Sequence, residues 1–113
     1  YHHWHPEAWA HLTLALRYAD LALVNYYVIT SENPVSVHIH KLHALTHDCI
    51  LVLAPRELGI SVRGWSLPES INTGDSFAFV RDCGKALGWL LAQPDQPSEA
   101  ILDTWRRLMP SGR

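Results

Sequence analysis

The most strongly patterned part of the chain is its first third, where apolar residues recur at helical spacing. Over residues 6–29 the intervals between them alternate between three and four, which is typical of one face of an α-helix. The stripe consists of Trp9, Leu12, Leu16, Ala19, Leu23 and Tyr26. Only a narrow polar strip opposes it, so the predicted helix is apolar around most of its circumference. Such a helix belongs at the centre of a core or at an interface with another chain.

A second helix is predicted over residues 34–53. Asn33 is a suitable N-cap, and Pro34 suits the first helical position because proline has no backbone N–H to leave unpaired there. Residues 35–40 also alternate between apolar and polar in the manner of a strand. We prefer the helix because the residues after them keep helical spacing.

Two more helices are predicted near the carboxyl end of the chain. Asp75 is expected to cap the first of them, Ser76–Ala92, and the second covers residues 97–108. Gly84 and Gly88 lie one turn apart, and each costs roughly 1 kcal/mol relative to alanine inside a helix. Their presence predicts a close helix–helix contact at this point.

Residues 54–73 lack a clear period and are interrupted by proline and glycine, so they are expected to form a long irregular loop. Within this loop, a short helical turn at 55–58 or an extended piece at 60–62 is also compatible with the sequence. Together these elements predict an all-α domain spanning residues 1–113, with about four helices in an antiparallel bundle and one long middle loop.

Composition indicates that part of the apolar surface is covered by another chain. The hydrophobic share is 48% but the charged share is only 18%, against roughly 25% in an average soluble domain. We therefore predict a homo-oligomer whose interface is built largely by the first helix. Tryptophans in loops often anchor an interface or close a ligand pocket. The candidate interface or ligand residues are Trp9, Leu16, Leu23, Tyr26 and Trp65.

Charge and cysteine content narrow the class of partner and the compartment. The formal net charge is −2 and no basic run is longer than Arg106-Arg107, so nucleic acid is not an expected partner. Charged residues interrupt the most apolar stretch, which argues against a membrane span. Cys49 and Cys83 are expected to be reduced and buried in a cytoplasmic protein, with a disulfide between them left open.

Histidine is the one unusual residue type, since all eight histidines precede residue 48. His43 and His47, four residues apart in the predicted second helix, would share one face and be close enough to bind one ion. His40 is an alternative partner of His43. Zinc or another divalent transition metal would suit these imidazole ligands, with a third ligand supplied from elsewhere.

No catalytic motif accompanies these features, and the residues define no recognisable family. The sequence therefore predicts a non-enzymatic binding or interaction module that associates with itself and binds a protein or small-molecule ligand. The alternative is a metal-binding helical bundle, and that bundle could act as a metal-dependent enzyme through His43 and His47.

Overall fold

Three helices and one pair of antiparallel strands form the part of the chain that the computed structural model describes, which is residues 4–30, 47–58 and 65–109. The elements are, in chain order, α1 (Pro6–Tyr18), β1 (Leu21–Thr30), β2 (His47–Pro55), a 3₁₀ turn (Arg56–Leu58), α2 (Ser76–Ala92) and α3 (Ser98–Leu108). The fold is mixed α/β, so the prediction of an all-α four-helix bundle is wrong.

The predicted first helix fails in its second half. Helix α1 has proline at its start, as predicted, but it ends at Tyr18. Asp20 then adopts a positive φ of 60°, a left-handed conformation that aspartate tolerates better than most residues. The chain continues as β1, where β-branched and aromatic side chains favour extended backbone. Because nearly every position in β1 is apolar, its residues satisfied a helical period as well as a strand period.

The predicted second helix is also wrong where the structure describes it. Strand β2 pairs with β1 in antiparallel register, with Leu23 opposite Leu53 and Tyr27 opposite Ile50. A bulge interrupts the register at Val24. Residues 31–46, including the segment that alternates like a strand, lie outside the described residues.

The two carboxyl-terminal helices are confirmed. Asp75 caps α2 as predicted, since its carboxylate accepts a hydrogen bond of 2.8 Å from the N–H of Ala78. Helix α3 begins one residue later than predicted, with Pro97 in the N-cap position. Most of α2 is buried, and this makes it the central helix of the described domain.

The core lies between α2 and the inner face of the strand pair and continues between α1 and α3. Trp9 of α1 stacks on Trp105 of α3 with ring centroids 5.5 Å apart. The buried Trp105 indole N–H donates to the hydroxyl of Thr13 at 3.0 Å, and that hydroxyl donates to the carbonyl of Trp9 at 2.8 Å. Every polar atom in this contact is therefore paired, as burial requires.

The predicted long loop is more ordered than expected in its described parts. Residues 54 and 55 end β2, and the next three form the 3₁₀ turn within the predicted turn at 55–58. Further on, the N–H of Ile71 donates to the carbonyl of Leu108, and the N–H of Asn72 donates to the carboxylate of Asp82. The predicted extended piece at 60–62 falls outside the described residues.

None of the helices in the described ranges combines the length and the apolar character that a membrane crossing needs.

Candidate functional site

The outer face of the strand pair carries large apolar side chains in contact with solvent. Directly opposed residues of an antiparallel pair share a face, as do residues two apart in one strand. By this register Tyr27 and Ile29 of β1 lie on the same face as Ile50 and Val52 of β2. Their exposed fractions range from 38% to 55%. We call these four side chains the outward patch.

The opposite face of the same strands is buried against α2. Leu23, Cys49 and Leu53 belong to this inner face, and so do Tyr26 and Leu51. Antiparallel sheets with one face in water normally carry polar residues there. Here the outer face carries four large apolar side chains beside Asn25 and Asp48, and the packing of the described residues leaves the outward patch in contact with solvent.

Two aromatic rings lie close against the glycines of α2. A Cβ atom at Gly84 would come within 2.7 Å of the Tyr26 ring, and one at Gly88 within 2.5 Å of the Trp65 ring. The Trp65 indole N–H also donates to the carbonyl of Leu23 at 3.1 Å. The predicted close approach at these glycines is therefore real, but a strand and a loop make it, and not a second helix.

A cleft of about 190 Å³ opens beside this aromatic contact. It lies where β1 begins, β2 ends and α2 finishes, and its walls are almost entirely apolar or small side chains. Leu23 and Gly88, which Trp65 contacts, belong to the wall, but Trp65 itself does not line the cleft. Among the described residues that line it, Arg56 on the 3₁₀ turn is the one that carries a charge.

Two arginines lie at the carboxyl end of α2, where unpaired carbonyl groups give the helix a partial negative charge. Arg17 is well held, because it donates to the carbonyls of Leu90 and Gln93 at 2.6 and 2.9 Å. Arg56 is held loosely. Its contacts are 3.5 Å to the Gln93 carbonyl and 4.0 Å to the Asp20 carboxylate. The guanidinium of Arg56 therefore keeps donors that could serve a ligand.

Of the metal site predicted at His43 and His47, only His47 lies among the described residues. His47 lies in strand β2, which removes the helical spacing on which the pair depended. Its ring shares a hydrogen bond of 3.0 Å with the Ser76 hydroxyl and contacts Phe77 edge-on, so it fastens β2 to the start of α2. Within the described ranges no three His, Cys, Asp or Glu side chains are grouped to hold a metal ion. His40 and His43 lie outside those ranges.

The five predicted interface or ligand residues fall into three environments. Trp9 and Leu23 are fully buried in the core, and Leu16 packs against it while partly exposed. Tyr26 and Trp65 are half-buried, with rings 5.7 Å apart over the glycines of α2. Leu23 lines the cleft, whereas none of the five belongs to the outward patch.

The two cysteines are buried in the core, and neither takes part in a disulfide. Burial raises the pKa of Cys49 to about 11, and burial also raises the pKa of Cys83 well above its usual value. A buried, protonated thiol is a poor nucleophile. The disulfide that the sequence left open is not formed in this structure.

The raised thiol pKa predicts a loss of stability at alkaline pH. Above pH 9 the Cys49 thiol ionises in the unfolded chain but stays protonated in the folded one up to about pH 11. The unfolding free energy should therefore fall across this window, by up to about 1.4 kcal/mol per pH unit for this thiol. Urea unfolding between pH 8 and pH 10.5 measures the slope. A Cys49→Val variant should show a shallower slope, and an unchanged slope would contradict the assignment.

No protein-family model matches the chain, and its comparison with curated proteins and with solved structures gives no match either. The class of protein is therefore defined by the fold alone. It is a two-layer α/β domain with one apolar sheet face open to solvent and a small cleft at one end of the sheet.

The sequence analysis missed the outward patch and Arg56. The signal for the patch was present, because Tyr27 and Ile29, and likewise Ile50 and Val52, are apolar pairs two residues apart. The alternation of apolar and polar residues that is typical of a strand was hidden, because the residues between them are apolar as well. Arg56 gave no signal, since its position at the cleft depends on how β2 ends.

Proposed function

We propose that this protein is an interaction module that associates with a second copy of itself through the outward patch. The observation that carries the proposal is the exposure of four large apolar side chains on one face of a strand pair whose other face is already buried. Exposed apolar patches of this kind mark interaction sites on soluble domains.

A second copy suits the patch for reasons of charge and symmetry. On this face of the two described strands, Asp48 is the one charged residue, and it lies at the end of the patch opposite Ile29. A two-fold arrangement brings apolar side chains of one copy onto those of the other. The formal net charge of −2 opposes the approach of two copies only weakly.

The expected affinity is modest. Full burial of one aliphatic or aromatic side chain contributes about 1.5–3 kcal/mol, and these side chains are already about half buried. Each therefore has about 1 kcal/mol left to contribute, or about 8 kcal/mol for the four from each copy. Lost translational and rotational freedom costs at least about 4 kcal/mol. The remaining free energy of about 4 kcal/mol corresponds to a dissociation constant of about 1 mM.

Sedimentation equilibrium tests the proposal directly. The weight-average mass should rise from that of a 12.8 kDa chain towards twice that value as the concentration increases from about 5 μM to about 2 mM, the range set by the expected affinity. Added salt should change the association little, because the contact is apolar. A mass that stays at one chain throughout this range would contradict self-association.

The absence of a disulfide between the two buried cysteines favours a reducing compartment, and we propose that the module is cytoplasmic. Neither cysteine is in a disulfide and both are enclosed in the core, and cytoplasmic proteins keep such thiols reduced.

A further inference from the structure

We propose that the cleft between the sheet and the end of α2 binds a small aliphatic monocarboxylate, with its chain against the apolar walls and its carboxylate on Arg56. This goes beyond self-association and does not depend on it, because no residue of the outward patch lines the cleft.

The size and lining of the cleft fit a short hydrocarbon chain. Its volume is about 190 Å³, and an apolar cavity of about 150 Å³ is already sufficient to hold a benzene-sized ligand. Leu23, Pro55 and Leu91 supply apolar wall, while small residues such as Gly88 leave the space open. Typical drug-sized ligands need about 300 Å³ or more, so the occupant is expected to be smaller than these.

The charge at the cleft selects the head group. Arg56 alone is charged among the cleft-lining residues that the structure describes, and its side chain is only 30% exposed. Its two contacts of 3.5 and 4.0 Å leave most of its five N–H donors without a short partner. A guanidinium binds a carboxylate through two parallel hydrogen bonds, and partial burial strengthens such charge-assisted bonds.

Removing the charge of the neighbouring Asp20 should strengthen the binding of a carboxylate to Arg56. The Asp20 carboxylate is the acidic partner of Arg56 and is largely exposed, so it competes weakly with a bound carboxylate. Asparagine tolerates the left-handed backbone at position 20 as aspartate does. Asp20→Asn should therefore keep the fold and tighten carboxylate binding, by about threefold for an exposed ion pair of this kind.

The experiment is a titration of the whole chain with sodium hexanoate, followed by ¹H–¹⁵N NMR. Saturable shifts are expected at the amides of Gly88, Leu91 and Leu23, with acetate and hexanol each binding much more weakly. Acetate lacks the chain and hexanol lacks the charge. Arg56→Gln should weaken hexanoate binding by roughly tenfold or more, as expected for the loss of hydrogen bonds to a charged group.

Two further variants keep the test decisive. Ala54→Leu fills the cleft without touching the charge, so it should abolish binding even if Arg56→Gln fails to fold. Titrating an Ile50→Glu chain, which should not self-associate, separates this site from the proposed dimer. Absence of saturable shifts in the wild-type chain, or equal binding of hexanoate and hexanol, would overturn the carboxylate site.

Discussion

Replacing Ile50 with glutamate is expected to abolish self-association while leaving the domain folded. The side chain is 47% exposed in the isolated chain and lies opposite Tyr27 in the middle of the outward patch. In the single chain, the new carboxylate can remain hydrated, so the cost is limited to strand propensity and lost packing, roughly 1 kcal/mol. In a symmetric dimer two carboxylates would enter one apolar interface. An unpaired buried charge costs several kcal/mol, more than the whole expected binding energy.

Phe77 supplies the matched control for this prediction. It is exposed to a similar extent, 45%, but it lies in the first turn of α2 and not on the outer face of the strands. Phe77→Glu introduces the same charge, and a helix N-terminus tolerates it well. Sedimentation equilibrium should show Phe77→Glu associating like the wild type and Ile50→Glu remaining monomeric at about 2 mM. Equal behaviour of the two variants would show that the outward patch is not the interface.

The sequence analysis assigned the whole first apolar stretch to one helix, although its second half forms β1. The first apolar stretch was recognised as too apolar for one chain to cover. Its period was assigned to a helix because residues such as Leu23 and Tyr26, three apart, fit that spacing. In the structure both belong to the inner face of β1, on either side of the bulge at Val24. The extra residue shifts the alternation by one position, and that shift imitates a helical interval.

The two helices that were predicted correctly are marked in the sequence by the residues at their ends and not only by the spacing of apolar residues. Asp75 caps α2 through a side-chain hydrogen bond, and Pro97 stands at the N-cap of α3. These are local events, fixed by a few neighbouring residues, and a sequence carries them directly. The pairing of β1 with β2 and the position of Arg56 beside the cleft depend on residues far apart in the chain. Spacing within one segment holds no information about such contacts.

The ring of Trp65 against Gly88 leads to the second strong prediction, that Gly88→Ala destabilises the domain. In an open helix this change would stabilise by up to about 1 kcal/mol. Here the added methyl group would lie 2.5 Å from the indole ring, closer than carbon atoms can approach without one of them moving. The indole cannot withdraw freely, because its N–H donates to the carbonyl of Leu23. Forced repacking of this kind costs about 1–3 kcal/mol, so the net change should be a loss measurable by urea unfolding.

A double variant separates this explanation from a general intolerance of α2 to substitution. Trp65→Ala removes the ring and should itself destabilise the domain by roughly 3 kcal/mol or less, since Trp65 is only half-buried. In that background the methyl group of Gly88→Ala meets no ring, and only its effect on helix propensity remains. The same substitution should therefore change sign, from destabilising in the wild type to neutral or stabilising beside Trp65→Ala. A loss of equal size in both backgrounds would show that the glycine is required for a reason other than the aromatic contact.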